Sequence, residues 1–60
     1  MFIEVTMNSD GSKRLLNISH IMDISDATSY TVIIMSDTTA LNVTETYADI
    51  KDYPFVGILN

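Results

Sequence analysis

His20 is the one histidine of the chain, with Ser19 beside it and Asp23 three positions on. These are the residue types of a proton relay. General acid–base work, however, needs a pocket that excludes water, and 60 residues hardly enclose one. The expected role of His20 is that of a bend residue with an ordinary hydrogen bond. Asp23 and Asp26 form the closest acidic pair around it. Paired carboxylates can hold a hard cation, but no ligand loop or third carboxylate follows closely, so no dedicated metal site is expected. No serine has a nucleophile-elbow context. Gly11 and Gly57 are the only glycines, so there is no phosphate-cradling loop. The chain has no cysteine, which excludes a disulfide miniprotein and a zinc finger. The inventory points away from an enzyme and requires no cofactor.

Lys13 and Arg14 are the one cationic pair, joined only by Lys51, against eight acidic residues. The net charge is −5. Tight nucleic-acid binding draws most of its affinity from several Lys/Arg–phosphate contacts, which argues against direct DNA or RNA binding by one copy. An acidic surface suits solubility or a basic protein partner. The plain reading of Lys13 and Arg14 is a solvated strand end. In a symmetric assembly the pair recurs around the axis. It would then form an anion-binding site for a nucleotide, helped by hydroxyls such as Ser12, Thr28, Ser29, Thr38 and Thr39.

The elements that must position these residues are strands. Phe2 to Met7 alternates, with Ile3, Val5 and Met7 on one side and Glu4 and Thr6 on the other. Asn8 to Ser12 is a turn with Gly11 at a positive-φ position. Lys13 to Asn17 is a second strand in which Leu15 and Leu16 carry the apolar load. A bend or single helical turn follows through His20, then a third strand from Ile21 to Ser25. Asp26 to Ser29 is a turn. Tyr30 to Ser36 is rich in β-branched and aromatic residues, and its apolar centre, Val32 to Met35, suggests burial on both faces. Asp37-Thr38-Thr39 is a hairpin connection to a fifth strand, Ala40 to Thr44.

Thr44 is the expected N-cap of a short helix, with Glu45 in its first turn. Tyr47 and Ile50 share one helical face, and Pro54 stops the helix at about Tyr53. Met1, Met7, Met22 and Met35 are expected to fill gaps in the core. The fold expected is one domain over residues 1–60, mainly β with a short C-terminal helix. Its sheet is a small antiparallel curled sheet or a partly open five-stranded barrel.

The segment from residue 54 to 60 is an apolar tail, which must pack on its own core or on a neighbouring subunit. Tyr53, Phe55, Val56, Ile58 and Leu59 are therefore the expected oligomer interface. No apolar run approaches the ~20 residues of a membrane span. Met1-Phe2-Ile3-Glu4 lacks the basic and apolar regions of a secretory leader. The expected location is the cytoplasm.

One further pattern runs through the chain. It opens with Ile3-Glu4-Val5-Thr6, has Gly11 in the first turn, and reads Leu16-Asn17 before the bend. Ile21, Ile24 and Thr31-Val32-Ile33 follow, then Val43-Thr44-Glu45-Thr46-Tyr47 and Ile50. Over residues 3 to about 50 this resembles the small FlbD-like proteins of flagellar operons, and similar short proteins of phages and prophages. Asp37-Thr38-Thr39 stands where that family has a turn glycine, and the tail from Pro54 has no counterpart in it. The resemblance implies a curled sheet with a C-terminal helix, no catalytic residues, and function by binding.

Size, charge and inventory together lead to a non-catalytic, homo-oligomeric binding module. A phage or mobile-element accessory protein that inhibits or modulates a host factor fits that description. The alternative is an oligomeric binder that sequesters an anionic nucleotide at subunit junctions.

Overall fold

Alternation sets the first hairpin. In β1 (Phe2–Thr6) Ile3 and Val5 are buried while Phe2 and Glu4 are exposed. β2 (Lys13–Asn17) pairs with it antiparallel, from Phe2 opposite Asn17 to Thr6 opposite Lys13. The turn between them is tied by the Asp10 carboxylate, which accepts from the Ser12 N–H at 3.0 Å and its hydroxyl at 2.8 Å. Gly11 sits at φ +75°, and a Cβ there would touch nothing. The backbone conformation, not crowding, accounts for that glycine.

These elements come from a computed structural model of the chain, which describes residues 1–52. After β2 a single 3-10 turn spans Ile18–His20, with the Asn17 side chain accepting from the Ser19 N–H at 3.0 Å. β3 (Ile21–Asp26), β4 (Thr31–Met35) and β5 (Ala40–Val43) make an antiparallel three-stranded sheet in the order β3–β4–β5. A bridge between Met7 and Val43 links the two sheets, flanked by Thr44 N–H to Thr6 C=O and Asn8 N–H to Asn42 C=O, each 2.9 Å. The spatial sequence is therefore β2–β1–β5–β4–β3. Among the described residues no ladder joins β2 to β3, so the curl stays open. Among the described residues the fold is mainly β with one short helix, as expected, but as two small antiparallel sheets.

The core lies between the sheets: Ile3, Val5, Leu16, Ile18, Ile33, Leu41, Val43 and Ile50, with Met7, Ile21, Ile24 and Met35 packed around it. Each strand except β3 contributes a buried residue, and helix α1 (Tyr47–Lys51) closes the set with Ile50. No helix among the described residues is long and apolar enough to cross a membrane.

Several local expectations change. The N-cap is Thr46, not Thr44. Its hydroxyl accepts from the Asp49 N–H at 3.1 Å, and the Asp49 carboxylate accepts from the Thr46 N–H at 3.4 Å. That reciprocal box satisfies two otherwise unpaired donors and moves the helix start past Glu45. The helix ends at Lys51, with Asp52 as its C-cap. Tyr53 and the segment 54–60 lie outside the described residues. Leu15 is exposed while Leu16 is buried, because adjacent strand residues point to opposite faces. Met1 and Met22 are exposed rather than core residues. In β4, Thr31 and Ile33 are fully buried, and Val32, Ile34 and Met35 only half-buried.

Two hairpin turns put threonine where glycine is at ease: Thr28 at φ 75° and Thr38 at φ 72°. A left-handed conformation costs an L-residue roughly 1–2 kcal/mol, and a β-branched one is a true outlier there. Thr38→Gly removes that strain but restores about 0.5–1 kcal/mol of unfolded-chain freedom. The expected net gain is about 0.5–1 kcal/mol, a rise of roughly 2–8 °C in the melting midpoint. Calorimetry checks this against Thr39→Gly, whose site has no positive φ and whose midpoint should fall. Equal falls in both variants would refute the strain at Thr38.

Candidate functional site

A groove of about 700 Å³, wide open to solvent, lies between the first hairpin and the turn that joins β4 to β5. Its wall on one side is the β2 edge with Arg14, Leu15 and Asn17, and Phe2 of β1 beside it. On the other side stand His20 and the β4–β5 turn, with Met35, Ser36 and Asp37. The Ser36 N–H donates to the His20 carbonyl at 2.7 Å, and the His20 Nδ1 lies 3.3 Å from the Ser36 hydroxyl. His20 is thus held to the end of β4 by Ser36, not by Ser19 or Asp23. The Asp23 carboxylate instead accepts from the Ser25 hydroxyl at 3.0 Å.

The groove is mixed in charge. Arg14 and His20 face it, and so does Asp37. The Thr39 hydroxyl and N–H hold the Asp37 carboxyl below the usual aspartate range, outweighing a small burial effect, with His20 adding to the lowering. Asp37 therefore stays anionic at neutral pH.

The cationic pair is split by strand geometry. Arg14 stands opposite Val5, and Lys13 stands opposite Thr6 on the other face. The Lys13 ammonium donates to the Thr6 hydroxyl at 2.8 Å. That hydroxyl donates in turn to Glu45 Oε2 at 2.9 Å, and the Thr6 N–H donates to Glu45 Oε1 at 2.8 Å. Burial pushes the Glu45 carboxyl up, but the two Thr6 donors and the charge of Lys13 leave it lowered overall. Thr31, fully buried, donates its hydroxyl to the Glu45 carbonyl at 2.6 Å. Glu45 thus ties β1, β4 and the approach to α1 together. This cluster is a structural clasp.

Phe2 (56% exposed) and Leu15 (66%) are the large apolar side chains left open along the groove. The reading of the sequence missed them. The signal was present: two leucines in succession on a two-faced strand oblige one to point outward. The expected interface residues Tyr53, Phe55, Val56, Ile58 and Leu59 lie outside the described residues. Among the described residues no three His, Cys, Asp or Glu side chains converge as metal ligands would.

Comparison of the chain with protein-family models, curated proteins and solved structures gives no match.

Proposed function

We propose that this chain is a non-catalytic binding module, and that its contact surface is the β2 edge with the groove beside it. One observation carries the reading: an edge strand without a neighbour among the described residues, bordered by exposed Phe2 and Leu15. Unpaired edges recruit other strands unless blocked, and large apolar side chains in one patch mark contact sites. Arg14 at the rim adds a hydrogen-bonding cation, a residue type favoured at interfaces.

The partner class that suits this surface is protein. A short acidic module of the FlbD-like or phage accessory kind, acting in the cytoplasm and as an oligomer, would inhibit or modulate a host factor in this way. Affinity capture from the native host checks it. A partner held by the wild-type chain and by Ser25→Lys, but lost from Leu15→Lys and Arg14→Glu, is the expected result. Equal retention by all four refutes the assignment of the surface.

A second reading has one observation behind it. Arg14, His20 and the Ser36 hydroxyl line one groove, which would suit an anionic nucleotide. Asp37 in the same wall opposes it, and Lys13 is turned away to the clasp. Calorimetry with a nucleotide panel at millimolar concentration decides the point: absence of heat removes this reading.

A further inference from the structure

We propose that β2 of one copy pairs antiparallel with β2 of a second copy, about a two-fold axis through Leu15. The inference rests on the reading of β2 as the contact edge and names its first occupant.

The direction of the backbone groups follows from the hairpin. Ile18 N–H donates to Met1 C=O at 3.1 Å, and Met7 N–H to Ser12 C=O at 2.8 Å. In an antiparallel pair, bonded and non-bonded positions alternate. Arg14 and Leu16 therefore spend their backbone groups on β1, while Lys13 and Leu15 turn both of theirs outward and Asn17 its N–H; the Asn17 carbonyl, at the N-cap, accepts the first bond of the 3-10 turn. Two complete outward positions and the Asn17 N–H are a template for another strand.

The other sheet edge is guarded. β3 has a register shift between Ile21 and Asp23, carries Asp23 and Asp26, and packs against α1. Bulges and edge charges are the usual ways of blocking strand addition. β2 lacks a bulge, and the ammonium of Lys13 is drawn back to Thr6.

Charge selects the register. Outward-facing residues must meet outward-facing residues, so two-fold centres fall on single residues of β2. A centre at residue 13 sets Lys13 against Lys13, and one at residue 14 sets Arg14 against Arg14. Like charges directly opposite are destabilising. Centres at 16 or 17 run the strand into the 3-10 turn that follows Asn17. The centre at Leu15 pairs the whole strand: Lys13 with Asn17, Arg14 with Leu16, Leu15 with itself. It also extends the Phe2–Leu15 patch across the axis. The sequence Lys-Arg-Leu-Leu-Asn thus meets its own reverse over its whole length, without opposed like charges, in one register only.

The contact is short, so a weak dimer is expected, with a dissociation constant of roughly 10–1,000 μM. Sedimentation of the full chain measures it. Leu15→Lys places two cations on the axis and should weaken association at least about tenfold. Leu15→Pro removes an outward donor without touching the bonds to β1 and should do the same. Ser25→Lys, on β3, should change nothing. In a sample mixing labelled and unlabelled chains, filtered NMR contacts should join the Arg14 α-proton to that of Leu16 in the other copy, the close non-bonded pair of this register.

A monomer at about 1 mM with rapidly exchanging Lys13, Leu15 and Asn17 amides overturns self-pairing and leaves the contact-edge reading intact. NMR contacts from residues 53–60 of the same chain to those amides overturn both. Intermolecular contacts in another register, or through another surface, overturn the proposal.

Discussion

Replacing Ile33 by alanine leaves the chain without a stable folded state at physiological temperature. Ile33 is fully buried at the centre of the three-stranded sheet, opposite Ile24 on one side and Leu41 on the other. Truncating a buried isoleucine to alanine costs about 2–5 kcal/mol, the upper end where the site cannot collapse. Here two flanking strands fix the walls. The whole stability of a 60-residue domain is about 3–9 kcal/mol at the usual value per residue. At the middle of both ranges one such deletion removes more than half of it, and at the upper end of the cost nearly all of a mid-range stability. The expected readout is loss of amide-proton dispersion and of a cooperative melt. Leu15→Ala deletes similar atoms from an exposed site and should shift stability by less than about 0.5 kcal/mol at a concentration where the chain is monomeric. A cooperative melt in Ile33→Ala close to the wild-type midpoint would show that the core does not lie where the burial places it.

Removing Glu45 has the second-largest expected effect. Its carboxylate accepts both Thr6 donors across the seam of the two sheets. Hydrogen bonds to a charged group contribute more than neutral ones, about 1.5–3 kcal/mol each at full burial and less where solvent reaches. Glu45 is only part-buried, so Glu45→Ala should lower stability by about 1–2 kcal/mol in total. With a urea slope near 1 kcal/mol/M for so small a domain, the midpoint falls by roughly 1–2 M. Glu45→Gln keeps one acceptor and should lose about half as much.

The same carboxyl gives a pH signature. Its folded-state pKa lies below the ordinary glutamate value. The stabilisation is therefore complete above the unfolded pKa and is lost as pH falls through the lowered folded one. Asp10 and Asp37, also lowered, act in the same direction. Urea midpoints measured between about pH 3 and pH 7 should decline towards acid in the wild type. The decline should be shallower in Glu45→Gln, which keeps only the contributions of the aspartates. Parallel curves for the two proteins would remove Glu45 from the clasp.

Both effects bear on how function could be read. The candidate surface depends on β2 remaining an edge, and the clasp holds Thr6, the partner of Lys13, against the second sheet. Removing Glu45 takes away the acceptor of the Thr6 hydroxyl and the charge that favours Lys13 beside it. Binding assays on Glu45 variants should therefore be interpreted together with their stability.

The strands were legible in the chain itself. Period-two alternation in Phe2 to Met7 and β-branched density in Tyr30 to Ser36 identify their strands, and the turn clusters Asn8–Ser12, Asp26–Ser29 and Asp37–Thr39 separate the hairpins. These are local signals, set by side-chain direction and by turn residues that bond their own backbone. The 3-10 turn after Asn17 was legible for the same reason. The helix start was not. Thr44 and Thr46 both present a hydroxyl before a helical stretch, and the choice between them depends on Glu45 being held by Thr6, 39 positions earlier.

The site followed the same division. Residue types alone showed that Lys13 and Arg14 are the one cationic pair of the chain and His20 its one histidine. Tertiary pairing decided that the two cations part company, Arg14 to the groove and Lys13 to the clasp. It also brought His20 to Ser36, and among the described residues left β2 rather than β3 as the unguarded edge. Local sequence determines where strands and turns form, because those depend on neighbours a few residues away. Which edge stays open, and which polar groups meet across the seam, depends on contacts between distant segments, and only the folded chain brings those together.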